Sequence, residues 1–359
     1  MISGHGGNIY KLAQDLNCAP SDIIDMSSNV NPLGPPPGLV TFLRENILLI
    51  NALPEVDASS AISAFADRYD TDPQLVVPGN GTTQLIHTIP LALKSRRALI
   101  LGPTYADYAD ACIMHGVHHE FFFADPRRAF APDMAKLTEM AGNSDTVFIC
   151  NPDNPTGHLI PRAELMALCR ACPETFFVID ESYLPFVADD REYTMLRCGL
   201  PNVMILNSMS KIFRVPGLRI GFLVSSGPIV RKMNRYGLPW SLNSLAQAAV
   251  VYLMENREEI GAFVRQTRTA LSGERQYLAA ALGSAPGIRL FPSTTSFVLA
   301  ELSGAHTAES VCAALAEERI LIRNCANFQG LSDRFIRISL KTPEINRLLA
   351  GKLSEILAG

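Results

Sequence analysis

Ser208, Ser210 and Lys211 stand together in the chain, followed by Arg219 and Gly221, in the pattern S-M-S-K-x7-R-x-G. A lysine amine condenses with an aldehyde to give a Schiff base. Hydroxyls and a guanidinium nearby hold a phosphate dianion through charge-assisted hydrogen bonds. The segment suits an aldehyde cofactor that carries a phosphate, although a lysine among serines is also what a solvated loop contains. Asn154 lies in the turn Asn151-Pro152-Asp153-Asn154-Pro155-Thr156-Gly157, after the apolar run 146–150. Its amide can donate to a phenolic oxygen, and Tyr183 can reach the same atom. Asp180 ends a second apolar run, 176–179. A carboxylate at a strand's end can face a pyridine nitrogen and keep it protonated, which makes such a ring an electron sink. The plainer readings are a strand-ending turn for Asn154 and a helix-capping acid for Asp180. Gly81, Thr82 and Thr83 open a predicted helix, where free backbone amides favour a phosphate. Tyr105 follows another strand-like run and can stack on a flat ring, or simply fill a core.

Five separate segments thus fall in one order. The combination N-P-x-N-P-T-G, D-E-x-Y and S-x-S-K-x7-R-x-G resembles the fold-type I pyridoxal-phosphate enzymes of the class I/II aminotransferase group, over nearly the whole chain. That resemblance implies pyridoxal 5'-phosphate as cofactor, with Lys211 as its Schiff-base lysine and Asp180 at the pyridine nitrogen. It implies Asn154 and Tyr183 at the ring oxygen, Tyr105 stacked on the ring, and Gly81, Thr82, Thr83, Ser208, Ser210 and Arg219 at the phosphate. It also implies a homodimer with its sites at the interface. Relatives carry a tyrosine near position 53 that reaches the neighbouring subunit, where this chain has Leu53, and an acidic residue in the turn that here reads Thr82-Thr83-Gln84.

Further segments are similar to the threonine-phosphate decarboxylase branch of that group: His5-Gly6-Gly7-Asn8, Asn29 within S-S-N-V-N-P-L-G, Leu238-Pro239-Trp240, Arg323 within I-R-N-C-A-N, and Arg337 within F-I-R-I-S. In this chemistry the bond that breaks is the one held perpendicular to the cofactor ring. A decarboxylase must point the substrate carboxylate out of plane, and a phosphate on the substrate gives a second handle for doing so. Arg323 and Arg337 are fixed cations suited to an anionic substrate. His5, Gly6, Asn29 and Asn154 complete the expected substrate pocket. The plainer readings are a loose amino terminus for His5 and surface ion pairs for the two arginines. The expected reaction is decarboxylation of L-threonine O-3-phosphate to (R)-1-aminopropan-2-ol O-2-phosphate for corrinoid synthesis. L-Serine O-phosphate, giving ethanolamine phosphate, differs by one methyl group. The alternatives are a histidinol-phosphate-type aminotransferase and a non-catalytic protein on the same scaffold.

The elements that must position these residues are legible from pattern. The chain has 359 residues, 48% hydrophobic, enough for a large and a smaller domain. Helical and apolar strand-like runs alternate from about 60 to 235, which predicts an α/β fold with a largely parallel central sheet and helices on both faces. Ligands in such sheets bind beyond the strands' carboxyl ends, where Asn154, Asp180 and Lys211 fall. The expected division is an arm at 1–45, a large cofactor-binding domain at 46–240, and an interdomain helix with a small α+β domain at 241–359. One long helical stretch is predicted over 244–282. A net charge of −4 with mixed signs gives no stripe for nucleic acid. No apolar run is long enough for a bilayer, and the start lacks a signal-peptide pattern, so the cytoplasm is expected. The eight cysteines are scattered, as reduced thiols would be. Cys169 and Cys172 lack a second pair for zinc, and His115, His118 and His119 read as a solvated helix end, so no metal is expected.

Overall fold

The computed structural model describes residues 8–358. Seven strands form the central sheet: β2 Val76–Asn80, β3 Arg97–Gly102, β4 His118–Phe123, β5 Thr146–Cys150, β6 Phe176–Asp180, β7 Val203–Ser208 and β8 Ile220–Ser225, in the order β2-β8-β7-β6-β5-β3-β4. All neighbours are parallel except β8, which runs antiparallel to both β2 and β7. Every residue of β5, β7 and β8 is buried, as strands covered on both faces must be. The sheet is therefore the α/β layer that the alternating pattern predicts.

A four-stranded antiparallel sheet follows in the carboxyl-terminal part, from β9 Ile288–Leu290, β10 Phe297–Leu302, β12 Arg323–Asn324 and β13 Phe335–Ser339, in the order β12-β13-β10-β9. The remaining pair joins β1 Ile24–Asp25 to β11 Ile320–Leu321 in parallel, so the amino-terminal segment is stitched to the last third of the chain. The stretch 244–282 is two helices, Ser244–Glu255 and Arg257–Leu282. Asn256 separates them with non-helical backbone, and its side-chain amide donates to the Tyr252 carbonyl at 2.8 Å. An Asn that bonds backbone locally competes with the helix, which overrides the continuous apolar periodicity.

Cys169 and Cys172 lie at the end of the helix Arg162–Ala171, both buried. Their carbonyls, with that of Thr175, accept from the Asn202 amide at 3.1, 3.1 and 3.0 Å. Burial pushes both thiols upward, away from the reactive thiolate. His115 sits against the His87 carbonyl, His118 beside Glu120, and the His119 ring edge-on to Phe121, so the three rings serve separate partners.

The backbone is tightest where β2 meets β8. Gly79 pairs with Gly221, and a Cβ on Gly221 would lie 2.5 Å from the Thr82 nitrogen. The missing side chain lets the helix Gly81–Leu93 start directly over the strand. Gly221→Ala is expected to cost about 1–3 kcal/mol in urea unfolding through overpacking. Gly217→Ala, which meets nothing within 4 Å, serves as the control and should leave the midpoint unchanged.

Candidate active site

The ends of β5, β6 and β7 bring three chemically distinct groups to one edge of the central sheet. After β5, the turn is locked by its own side chains. Asn151 exchanges two hydrogen bonds with the Ile160 backbone, at 3.0 and 2.7 Å. Asp153 accepts from the Thr104 and Thr156 hydroxyls, each at 2.7 Å. Burial raises the Asp153 carboxyl to about 7 against those bonds. This bracing fixes Asn154, whose side-chain oxygen accepts from Arg337 Nη1 and, at 3.5 Å, from Asn29 Nδ2.

Asp180 closes β6 and is buried. Its Oδ1 accepts from the Ser182 N–H at 2.9 Å and its Oδ2 from the Tyr108 hydroxyl at 2.8 Å. Burial pushes this carboxyl upward, while Ser182, Tyr108 and the Lys211 charge oppose the shift. Each oxygen keeps acceptor capacity for one further donor. Tyr108 is an anchor that sequence reasoning missed. It sits within the helix Asp107–Met114, stacked on Phe148 at 5.3 Å, and in sequence looks like any core tyrosine.

Lys211 follows β7 in the short helix Met209–Ile212. Its carbonyl accepts from the Asn31 N–H at 3.0 Å, and the Asn31 amide donates at 2.8 Å to both the Ile212 carbonyl and Thr267 Oγ1. The amino-terminal segment and the long helix thus hold the lysine's turn in place. Burial, then the Arg337 and Arg219 charges, pulls the Lys211 ammonium down to about 8.

Asn29, Tyr105, Asn154, Tyr183, Lys211, Arg323 and Arg337 line one cavity of about 710 Å³. Asn29 Nδ2 also donates to the Tyr183 hydroxyl at 3.4 Å, and Asn29 Oδ1 accepts from Ser339 Oγ at 2.6 Å. Arg337 is buried in β13; its Nη2 donates to the Ser27 carbonyl at 2.7 Å, and its guanidinium lies 5.4 Å from the Phe297 ring. Arg323 donates to Asn327 Oδ1 at 2.7 Å and lies over Phe328. Asp25 accepts from Ser27 and Ser28 to shape the turn before Asn29, and Lys341 donates to the Ser28 carbonyl at 3.4 Å. Sequence reasoning missed Asp25 and Lys341, which lie in no distinctive motif, and gave no role to Asn327 and Ser339, although they close the segments I-R-N-C-A-N and F-I-R-I-S.

The remaining expected residues form an adjoining group rather than the cavity wall. The Arg219 guanidinium lies over Gly81, where a Cβ would meet Nη2 at 2.5 Å. Thr83 donates its side-chain hydrogen bond to Tyr105, whose hydroxyl burial pushes upward. Thr82 packs on Gly221, and Ser208 and Ser210 are buried beside Lys211 in sequence without lining the cavity. His5 and Gly6 lie outside the described residues. The donor set fits a phosphorylated pyridine aldehyde: an amine, an acceptor carboxylate, a flat tyrosine, and an arginine over a glycine that opens a helix. The buried Arg337 Nε has no hydrogen-bond partner among the described residues, which leaves a donor for an anion in the cavity.

The lowered Lys211 value has a measurable consequence. The folded chain holds this proton less tightly than the unfolded chain, whose lysine titrates near 10.5. Folding is penalised below about 8, and the penalty fades as the pH rises from about 8 to about 10.5. The cofactor-free Lys211→Met protein is expected to melt at a higher temperature than cofactor-free wild type at pH 7. The advantage should shrink steadily above pH 8; an equal advantage at all pH values would contradict the assignment.

The chain matches the aminotransferase class I and II family over residues 21–353. It is similar to the threonine-phosphate decarboxylase of Salmonella typhimurium, 30% identical over 99% of this chain and 97% of the relative. Among solved structures, the histidinol-phosphate aminotransferase from Clostridium acetobutylicum superposes with a TM-score of 0.86 at 26% identity, covering 94% of this chain and 99% of that one. The L-threonine-O-3-phosphate decarboxylase from Porphyromonas gingivalis gives 0.83 at 29%, covering 94% and 100%. The match spans all three sheets and every strand end described above, and the chain belongs to the aminotransferase class I and II family, with pyridoxal 5'-phosphate as its cofactor.

Proposed function

We propose that this chain is a pyridoxal-phosphate-dependent carboxy-lyase that converts L-threonine O-3-phosphate to (R)-1-aminopropan-2-ol O-2-phosphate, a corrinoid side-chain precursor. The observation that carries this reading is the pair of guanidinium groups, Arg323 and Arg337, on one cavity with Lys211. A substrate with both a carboxylate and a phosphate offers each arginine an anion. The likeness to decarboxylases of this substrate along the full chain supports the same choice.

When bound, the cofactor supplies a sink for the electron pair left at Cα as carbon dioxide departs. The chain's residues do the rest. Asp180 holds a proton at the pyridine nitrogen, and Tyr108 and the Ser182 amide keep its carboxylate aimed. Asn154 and Tyr183 would donate to the cofactor's phenolic oxygen, Tyr105 would pack against it, and Arg219, Ser208, Ser210 and the Gly81–Thr83 turn would hold its phosphate. Lys211 Nζ would hold the cofactor and, once the carboxylate is lost, would return a proton to Cα. Arg323, Arg337 and Asn29, with His5 and Gly6, would hold the substrate's anions and so orient the carboxylate for loss. In this assignment the large domain, 46–240, carries the cofactor groups, and the small domain, 241–359, brings both arginines.

The molecule is proposed to work as a homodimer. Leu48, Ile50, Leu53 and Val56 form an exposed apolar run, with Leu53 77% exposed where relatives place a tyrosine. Sedimentation should give twice the chain mass, and Leu53→Lys should shift it toward one chain. No helix among the described residues is long and apolar enough to cross a membrane.

The higher structural score with a histidinol-phosphate aminotransferase favours a second reading, amino transfer to a keto acid. Purified holoenzyme with threonine phosphate decides between them. The proposal expects carbon dioxide release, none from Lys211→Ala, and a fall in kcat/KM of roughly 10- to 100-fold in Arg337→Lys, the loss of a charged hydrogen bond in the pocket. Stoichiometric conversion of 2-oxoglutarate to glutamate without carbon dioxide would overturn it. Serine phosphate keeps the chemistry and gives ethanolamine phosphate, and the two kcat/KM values should differ by no more than roughly 200-fold, because one methyl group is worth only about 1–3 kcal/mol.

A further inference from the structure

A second cavity, of about 560 Å³, lies on the far side of the Lys211 segment and shares no wall residue with the first. Met209, Ile212 and Phe213 form its inner side, so it touches the same turn that carries Lys211. Tyr69, Asn207 and the buried Glu181 add polar groups to the wall. Glu181 is already committed: its Oε2 accepts from Thr194 Oγ1 at 2.6 Å and its Oε1 from the Met195 N–H at 2.5 Å. Burial raises this carboxyl to about 7, which weakens its negative charge at neutral pH.

Six guanidinium groups, with the carboxylates of Asp70 and Asp190, supply the charge of the rest of the wall. Arg197 pairs with Asp70, Arg257 with Asp67 at 2.6 Å, and Arg268 with Asp190 at 2.7 Å. Arg68, Arg191 and Arg265 line the same cavity, and none of the three has a carboxylate partner among the described residues. The paired acids are therefore neutralised while three cations remain on one concave wall. Concave walls of one sign focus the field and concentrate counter-ions. The planar guanidinium fork matches phosphate oxygens two at a time. Nothing in the decarboxylation chemistry draws on these arginines, since the cofactor phosphate and the substrate anions meet other residues.

We propose that this cavity is a second binding site, for an organic phosphate carrying two or more negative charges. The phosphate groups meet Arg68, Arg191 and Arg265 at the mouth, and the ligand's hydroxyl or amine groups meet Tyr69, Asn207 and Glu181 within. A ligand there packs against the turn that holds Lys211, from the side opposite the reaction.

The test uses the full chain loaded with pyridoxal phosphate, and inorganic pyrophosphate as the probe, titrated calorimetrically at low salt. Wild type is expected to bind pyrophosphate. The double variant Arg191→Ala/Arg265→Ala should bind it at least roughly tenfold more weakly, through the loss of two charged hydrogen bonds. Its turnover without pyrophosphate should equal wild type, which also shows that it folds. Arg323→Ala, altered in the first cavity, should retain the binding. Absence of binding in wild type, or binding that survives in the double variant and disappears in Arg323→Ala, would overturn the proposal. Because the readout is binding at the arginine cavity, a failed decarboxylase assignment would leave its outcome unchanged.

Discussion

Two cations share one buried space, and the rest of the site is arranged around that fact. Arg337 is enclosed in β13 with no ion pair among the described residues, and Lys211 projects into the same cavity. Burial lowers the proton affinity of both, and the Arg337 charge lowers that of Lys211 further. An unpaired guanidinium held away from water costs several kcal/mol. The chain offsets part of that cost with neutral oxygen acceptors, the Asn154 side chain and the Ser27 carbonyl, and with the face of Phe297. Neutral acceptors satisfy geometry while leaving charge uncompensated, so the pocket retains its attraction for an incoming anion.

That arrangement demands stiffness, because a loosely held cation would turn toward water. Stiffness comes from polar side chains bonded to backbone at each strand end. Asn151 and Asp153 clamp the Asn154 turn, Asn31 clamps the Lys211 turn, and Asp25 clamps the turn before Asn29. The glycines do the complementary task of allowing close approach. Gly221 brings the start of the helix Gly81–Leu93 onto β8, and Gly81 leaves room for the Arg219 guanidinium.

Legibility in the sequence follows the same division. Asn154, Asp180 and Lys211 were readable because each follows an uninterrupted apolar run, and a parallel sheet delivers such positions to one edge. The cavity brings Asn29, Tyr105, Tyr183, Arg323 and Arg337 to Lys211, although they are scattered along the chain. Tyr108 was hidden because an aromatic on a buried helix face carries no sign that its hydroxyl serves Asp180. Lys341 and Ser339 were hidden because their partners, Ser28 and Asn29, sit at the opposite end of the chain. The β1–β11 pairing involves two residues a side, too short for any periodicity to announce. The break at Asn256 was missed because apolar spacing continues through it, and only the Asn side chain's bond to Tyr252 marks the stop.

The bonds from Arg337 to the Ser27 carbonyl and from Ser339 to Asn29 each join residues 310 positions apart. The amino-terminal wall of this pocket precedes the central sheet in the chain, and its closing strand follows that sheet. Before β13 is made, Asn154, Asp180 and Lys211 are already in the chain, yet the Arg337 side of the pocket is missing. Only the arrival of β13 supplies the cation that turns an open sheet edge into an enclosed, anion-seeking space. A growing chain thus gains its full attraction for anions only once β13 has been made.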